Sequence, residues 1–348
     1  MRERIEKLYI FNLATDLDHT LLAFTHDWIR ACLSEANSVE VVSTHIGRID
    51  LPSNVRVREI GGGNLAKRIV GIFRLIRITC EIGINRRQSV VFYHMTNKVA
   101  ALIGLPLRII GVRQGLWYSH SSIPISLKFA AKFSNVLFSS SPNALPISNE
   151  KCQYVNHGID FSRFPTAARR EVDPENTFIS FGRVSPIKNL ELFIDAVSRS
   201  KSPIKIINLA GPYHTQSEYQ QSLKKFAESA GITLRFLGEV PYPQVPKFLS
   251  QFSICYTGNP KTTDKAAIEA AAVGCFVICL EPNTQELTGM NKVWNEINLH
   301  NLPLSEQIDA ILALTDRRRY QEIISKSAIS QNNVNQTVHA ILSGITNA

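Results

Sequence analysis

FISFGRVSPIKNLELFIDAV, residues 178–197, opens with a short apolar run, turns at Gly182 through a loop holding Pro186, and continues with helical periodicity. A buried strand, a tight turn and an amphipathic helix in that order make one half of a β-α-β unit. The same pattern recurs on both sides of it. Downstream, strands are expected at Ile204–Ala210, Leu234–Leu237, Ile254–Thr257 and Phe276–Leu280, with helices at Asn189–Arg199, Gln216–Ser229, Gln244–Ser250 and Lys265–Val273. Upstream, apolar runs at Leu8–Leu13, Val39–Ser43, Val90–Tyr93, Ile109–Val112 and Val136–Phe138 read as strands, and Phe24–Glu35, Leu65–Ile82 and Ser126–Lys132 as helices. Continuous apolar strands alternating with helices specify parallel sheets covered on both faces.

A chain of 348 residues is too long for one ordinary core, so the alternation is divided into two doubly wound domains. The division is expected in the polar, Pro-containing stretch 156–175, NHGIDFSRFPTAARREVDPE, which has no periodicity. The domains are thus expected at 1–160 and 161–330. Residues 331–348 form a terminal helix that packs back on the first.

With 44% hydrophobic and 19% charged residues the chain is a folded, globular one. The longest apolar stretch, Val99–Val112, is interrupted by Pro106 and Arg108 and is too short to span a bilayer. The first residues are charged and no signal-peptide core comes after them, which gives a cytoplasmic expectation. The six cysteines form no CxxC pair and read as reduced core thiols, and no spacing suggests a metal site. Net charge is +9, unevenly distributed: residues 1–150 hold 18 Lys/Arg against 11 Asp/Glu, and the remainder 20 against 18. The first half therefore suits an anionic surface. A basic stripe interleaved with aromatics is missing, so nucleic acid is not an expected partner.

Ligands of open parallel sheets lie beyond the carboxyl ends of the strands. After Phe181 come Gly182, Arg183 and Lys188; the two cations, around one turn, can address a single anion such as a diphosphate. The plain alternative is a solvated loop. Gly211 and Pro212 form a tight turn after Ala210. Thr262, Thr263 or Asp264 can cap the helix that opens at Lys265, whose free N–H groups would favour phosphate. Glu269 sits among alanines, where packing gives no reason for a carboxylate; it can accept from ribose hydroxyls, or simply be a half-exposed helix residue. Gly61-Gly62-Gly63 lacks the dinucleotide spacing and reads as a flexible connection. Neither a P-loop nor a GxSxG elbow is present.

Residues 178–197 resemble the GR-x-x-x-x-K strand–loop–helix of the retaining glycosyltransferases of family 4, which have the GT-B fold of two facing Rossmann-like domains with a cleft between them. LAGPYH, LRFLGEVPYPQVPKFLSQFSICYTG and DKAAIEAAAVGCFVICLE are similar to the later blocks of its donor domain. FTHDWI, HMTNKVAALIGL, GLWYSHSSI, FSSSPNAL and VNHGIDFSRF look like the acceptor domain of bacterial members that build surface polysaccharides. The resemblance implies that Arg183 and Lys188 hold the donor diphosphate, that Glu269 binds ribose, and that His120 faces the transferred sugar. Gly182, Gly211, Thr262, Thr263, Asp264 and Lys265 complete the implied donor site. The family commonly carries E-x7-E; here Thr262 stands at the first glutamate, which usually contacts the sugar, and Asp264 or Lys265 would take part of its role. The glycine-rich turn after the first strand is replaced by LATDLDHT.

The resemblance implies transfer of a sugar from a nucleotide-diphosphate donor to the hydroxyl of a glycan or lipid-linked acceptor, with retention. No cofactor and no metal are expected; the nucleotide sugar is a co-substrate. Leaving-group charge would be met electrostatically by Arg183, Lys188 and a helix N-terminus. A nucleotide-sugar epimerase of similar fold is the nearest rival, separated by whether product requires an acceptor. A nicotinamide dehydrogenase lacks its fingerprint here, and a two-lobed binding protein lacks an export signal. In Leu65–Ile82, Ile69, Ile72, Phe73, Ile76 and Cys80 share one face and Lys67, Arg74 and Arg77 another. This helix either lies on the inner membrane surface, making the enzyme peripheral, or packs its apolar face on the sheet.

Overall fold

The computed structural model describes residues 4–61, 65–120, 122–147, 150–165, 177–212, 218–297 and 302–348. In chain order the elements are β1 (Ile5–Thr15), α1 (Thr25–Cys32), β2 (Ala36–Ile46), β3 (Val55–Glu59), α2 (Leu65–Ile84), β4 (Ser89–His94), α3 (Asn97–Ile109), β5 (Arg113–Trp117), α4 (Ile125–Phe133), β6 (Val136–Ser139) and β7 (Cys152–Tyr154). They continue as β8 (Phe178–Phe181), α5 (Leu190–Arg199), β9 (Ile206–Ala210), α6 (Glu218–Ser229), β10 (Thr233–Gly238), α7 (Val245–Leu249), β11 (Ile254–Thr257), α8 (Lys265–Ala272) and β12 (Phe276–Cys279). The last are α9 (Pro282–Thr288), α10 (Met290–Ile297), α11 (Leu304–Ala313), α12 (Arg317–Gln331) and α13 (Val334–Asn347). The chain makes two compact units, residues 1–160 with 333–348, and residues 161–332.

Both sheets are parallel throughout. The first has seven strands in the order β3-β2-β1-β4-β5-β6-β7, the second five in the order β10-β9-β8-β11-β12. In the first unit the period-two alternation of strand side chains feeds two layers. Tyr9, Phe11, Val91 and Tyr93 meet Ile78 and Ile82 of α2, Leu107 of α3 and Leu127 of α4 on one face. Leu8, Ile10, Phe92 and Phe138 meet Trp28 of α1 and Val338, Ile341 and Ile345 of α13 on the other. The second unit buries Phe178, Ile207, Ile254, Tyr256 and Phe276, with Phe193 of α5 stacked on Tyr256 at 4.6 Å between centroids.

Two expectations are corrected. Ile109–Val112 is not a strand: α3 runs through Pro106 to Ile109 and stops at Gly111, where the Val112 N–H bonds back to Leu107 O at 2.9 Å. The strand begins one step later, at Arg113, and hides from hydropathy because its core residues include Gln114 and Gly115. Gln114 is wholly buried, accepting from Tyr93 Oη at 2.9 Å and donating to Gly104 O at 2.7 Å. The second correction concerns α2. Its core stripe is Gly71, Leu75, Ile78 and Ile82, so Ile69, Ile72, Phe73, Ile76 and Cys80 face outward instead of packing on the sheet. Of the Gly61–Gly63 stretch, Gly62 and Gly63 lie outside the described residues, as does 166–175 of the expected junction.

At the carboxyl end of β4, His94 is buried between elements. Trp28 stacks on it at 4.8 Å, Phe24 meets it edge-on at 5.7 Å, and Nδ1 donates to Asn12 Oδ1 at 3.1 Å. Its Nε2 has no partner among the described residues. Burial lowers its pKa from 6.5 to about 3. The native state thus refuses a proton that the unfolded chain accepts, and stability is full above pH 6.5 and lost as the pH falls toward 3. Between pH 7 and pH 5 this group should cost about 2 kcal/mol of stability. Urea midpoints measured by tryptophan fluorescence at the two pH values should converge in His94→Leu relative to the parent.

Candidate donor site

The second sheet reverses its strand order between β8 and β11, and a crevice at such a switch point is where doubly wound sheets take ligands. The loop leaving β8 is fixed by backbone bonds. Gly182 N–H donates to Ala210 O at 2.8 Å, Gly211 N–H to Gly238 O at 2.7 Å, and Val184 N–H to Pro212 O at 3.1 Å. Gly182 and Gly211 hold φ of +117° and +138°, and a Cβ on Gly211 would lie 2.2 Å from Gly182 O. The close approach at Gly211 is therefore made by the backbone of the neighbouring loop.

The chain then makes a 3₁₀ turn, Pro186–Lys188, and a left-handed step at Asn189, with φ +44°. Asn189 holds this conformation by two bonds to the β11 side. Its Nδ2 donates to Gly258 O at 2.7 Å, and its carbonyl accepts from Tyr256 Oη at 3.0 Å. Burial, with Glu191 second, raises the Tyr256 pKa, so the phenol stays a donor. These bonds fasten the β8 loop to the β11 loop. Lys188 is pointed inward as a result. It is 8% exposed, its ammonium lies beside the Cα of Gly182, and it forms an ion pair with Asp264 Oδ2.

Asp264 occupies the N-cap position of α8, yet its carboxylate serves Lys188 and no side chain caps the helix. The expectation that Thr262, Thr263 or Asp264 caps α8 is thereby corrected. Thr262 Oγ1 accepts from Asn259 Nδ2 at 2.6 Å. Thr263 is buried; its hydroxyl donates to Glu281 Oε2 at 3.2 Å and accepts from Asn283 Nδ2 at 2.9 Å. Glu281 in turn caps α9, accepting from Thr284 N at 2.7 Å and Thr284 Oγ1 at 2.8 Å. Thr263 thus supports its loop from within.

Within α8, Ala266, Ala267, Ala270, Ala271 and Ala272 are all buried, which lets the helix lie close to its neighbours. Glu269 is 4% exposed, not half-exposed, and accepts from Lys265 Nζ at 2.7 Å one turn earlier. The Lys265 ammonium is also 4.6 Å from the centroid of Tyr242, whose ring Arg163 approaches at 4.5 Å. Arg183 is exposed and makes no ion pair among the described residues.

The structure therefore brings Gly182, Lys188, Gly211 and Asp264 together at the switch point, with Lys265 and Glu269 on the helix that leaves it. His120 belongs to the first unit, after β5. It is exposed, and its Nδ1 accepts from Ser122 N at 3.0 Å, which leaves the proton of the neutral ring on Nε2. Asn189, Tyr242 and Glu281 escape sequence reasoning; an asparagine directly before a helix, after a Pro-containing turn, is the one available signal. Among the described residues no group of His, Cys, Asp or Glu is placed to hold a metal.

Residues 166–320 match the model of the family described as glycosyl transferases group 1. No curated protein sequence matches the chain. Among solved structures, HepE of Anabaena, in complex with UDP and glucose and with UDP-glucose, is 12% identical with a TM-score of 0.69 over 98% of this chain and 100% of that one. A glycosyltransferase of Rickettsia africae is 13% identical with a TM-score of 0.69, covering 98% of each chain. Sucrose-phosphate synthase of Thermosynechococcus elongatus is 12% identical with a TM-score of 0.68, over 97% of this chain and 98% of that one. At these identities the likeness is one of fold, and the fold is GT-B.

Removing Asp264 leaves the buried Lys188 ammonium without its carboxylate. Asp264→Ala should lose about 3 kcal/mol of stability in urea. The double change Asp264→Ala/Lys188→Met, which removes both charges, should recover most of it.

Proposed function

We propose that this protein, whose second unit matches the group 1 glycosyl transferases, moves a sugar from a nucleoside-diphosphate donor to an acceptor hydroxyl with retention. The observation that carries the reading is the switch point itself. A buried lysine, an exposed arginine and a helix start without a side-chain cap stand together where a diphosphate needs compensation. In this reading Lys188 and Arg183 hold the diphosphate, with the first N–H groups of α8 beside them. Asp264 keeps Lys188 in place until donor arrives. Glu269, fixed by Lys265, accepts from the ribose hydroxyls. As the bond from the anomeric carbon to the diphosphate breaks, negative charge grows on the leaving oxygen and Lys188 and Arg183 stabilise it. The acceptor oxygen forms its bond to the same face, and its proton passes to the departing phosphate. His120 is assigned to the transferred sugar by family resemblance.

UDP is the first nucleotide to try, because the Anabaena relative was solved with UDP and with UDP-glucose. A transferase family match over the second unit does not favour the epimerase reading. We assign the enzyme to polysaccharide or glycolipid synthesis, with a lipid-linked acceptor, at the membrane surface. Support comes from α2, whose outward Ile69, Ile72, Phe73 and Ile76 stand beside Lys67, Arg74 and Arg77 in the basic half of the chain. Among the described residues no helix is long and apolar enough to cross a membrane.

A thermal-shift titration with UDP, GDP, ADP and NAD tests the donor site. One nucleoside diphosphate should raise the melting temperature of the parent and not of Glu269→Ala. Lys188→Ala should lower turnover about 100-fold or more. Stabilisation by NAD alone, or by nothing, overturns the reading. For the membrane contact, Phe73→Ser/Ile76→Ser should lower co-sedimentation with anionic vesicles several-fold while leaving nucleotide binding unchanged.

A further inference from the structure

The amino edge of the first sheet holds a second concentration of positive charge. There the starts of β1, β4 and β5 and the end of α13 surround an open cavity of about 650 Å³. Arg4, Arg86, Arg87 and Arg113 all line it, against a single carboxylate, Glu6. Arg4 is anchored, donating from Nη2 to Leu33 O at 2.6 Å and to Ala36 O at 2.8 Å. The guanidinium groups of Arg86, Arg87 and Arg113 have no ion pair or hydrogen bond among the described residues. Ser89, also on the lining, is 4% exposed, and its hydroxyl is buried with no hydrogen-bond partner among the described residues.

Four arginines turned toward one hollow repel one another unless an anion joins them. We infer that this pocket binds a phosphate group, at a site lined by residues of the first unit alone. Guanidinium forks suit phosphate oxygens, and several can share one group. The inference does not rest on the donor reading, because every lining residue belongs to the first unit.

Two sources can present such a group, a lipid headgroup and a soluble phosphate. The surroundings favour the first. Ile84, 83% exposed, ends α2 just before Arg86, and Ile109, 75% exposed, ends α3 just before Arg113. The two helix ends meet, since a Cβ on Gly83 would lie 3.1 Å from Ile110 Cδ1. Isoleucines that reach past an arginine pocket would enter the acyl layer while the headgroup sits among the guanidinium groups.

The test uses the full-length protein and Arg86→Ser/Arg87→Ser/Arg113→Ser, with Lys224→Ser/Lys225→Ser/Lys247→Ser as a charge-matched control in the second unit. Binding is read by flotation with phosphatidylcholine vesicles carrying phosphatidylglycerol, and by titration calorimetry with inorganic phosphate and with pyrophosphate. The arginine variant should lose roughly tenfold or more of the parent's affinity, and the lysine variant little. Loss confined to vesicles names the headgroup, and loss confined to the soluble anions names free phosphate. Equal losses in both triple variants, no loss in the arginine variant, or no binding by the parent in either arm overturns the site. UDP binding, measured alongside, should be the same in all three proteins; its failure in the parent would bear on the donor reading and leave the pocket standing.

Discussion

A buried ammonium must be met by a carboxylate, and at Lys188 that requirement reaches 76 residues along the chain to Asp264. The pair fixes where the β8 loop can go and where α8 must begin. Asn189, Tyr256 and Gly258 then close the gap with neutral hydrogen bonds, and the left-handed turn at Asn189 is tolerated because both of its polar ends are engaged. Two loops that would otherwise move independently beyond the sheet become one rigid floor. Chemistry at a strand end requires that rigidity, since a charge held in place beforehand need not reorganise when the reacting group arrives.

The same pair shapes how the crevice presents itself to an anion. Lys188 is paired with Asp264 and Lys265 with Glu269, so each of these ammonium groups has its own carboxylate within the second unit. Arg183, exposed and unpaired among the described residues, is the cation nearest to solvent on that loop. In the proposed donor reading, an arriving diphosphate would meet an open guanidinium first and compete with Asp264 for the buried lysine afterwards. Binding at such a site involves exchange of partners more than simple attraction, and it selects ligands with enough charge to replace a carboxylate.

The chemistry-bearing positions on the β8 loop are legible in the sequence because their signal is local. A strand, a glycine and two cations around a proline turn lie within a dozen residues, and the doubly wound class comes from the same alternation repeated along the chain. The features that escape are held by distant partners. β5 looks polar because Gln114 is satisfied by Tyr93 and Gly104. The sidedness of α2 is ambiguous because both of its stripes are apolar, and only the neighbours Leu107 and Tyr93 decide which is covered. Thr263 resembles a cap until Glu281, 18 residues later, claims its hydroxyl. The role of Asp264 is concealed in the same way, since nothing in DKAAIEA announces a lysine elsewhere in the chain.

The second unit, residues 161–332, lies in sequence between the first unit's strands and the helix that finishes its core. Val334, Val338, Ile341, Leu342 and Ile345 of α13 are buried with Trp28, Phe92 and Phe138. Those residues are made only after the whole of the second unit, so the part of the first sheet's face that α13 covers stays open until that unit has emerged. The inserted unit has its own complete set of strands and can fold in the interval. The second unit can therefore complete its core before the first does, and removal of α13 would expose an apolar face of the first sheet.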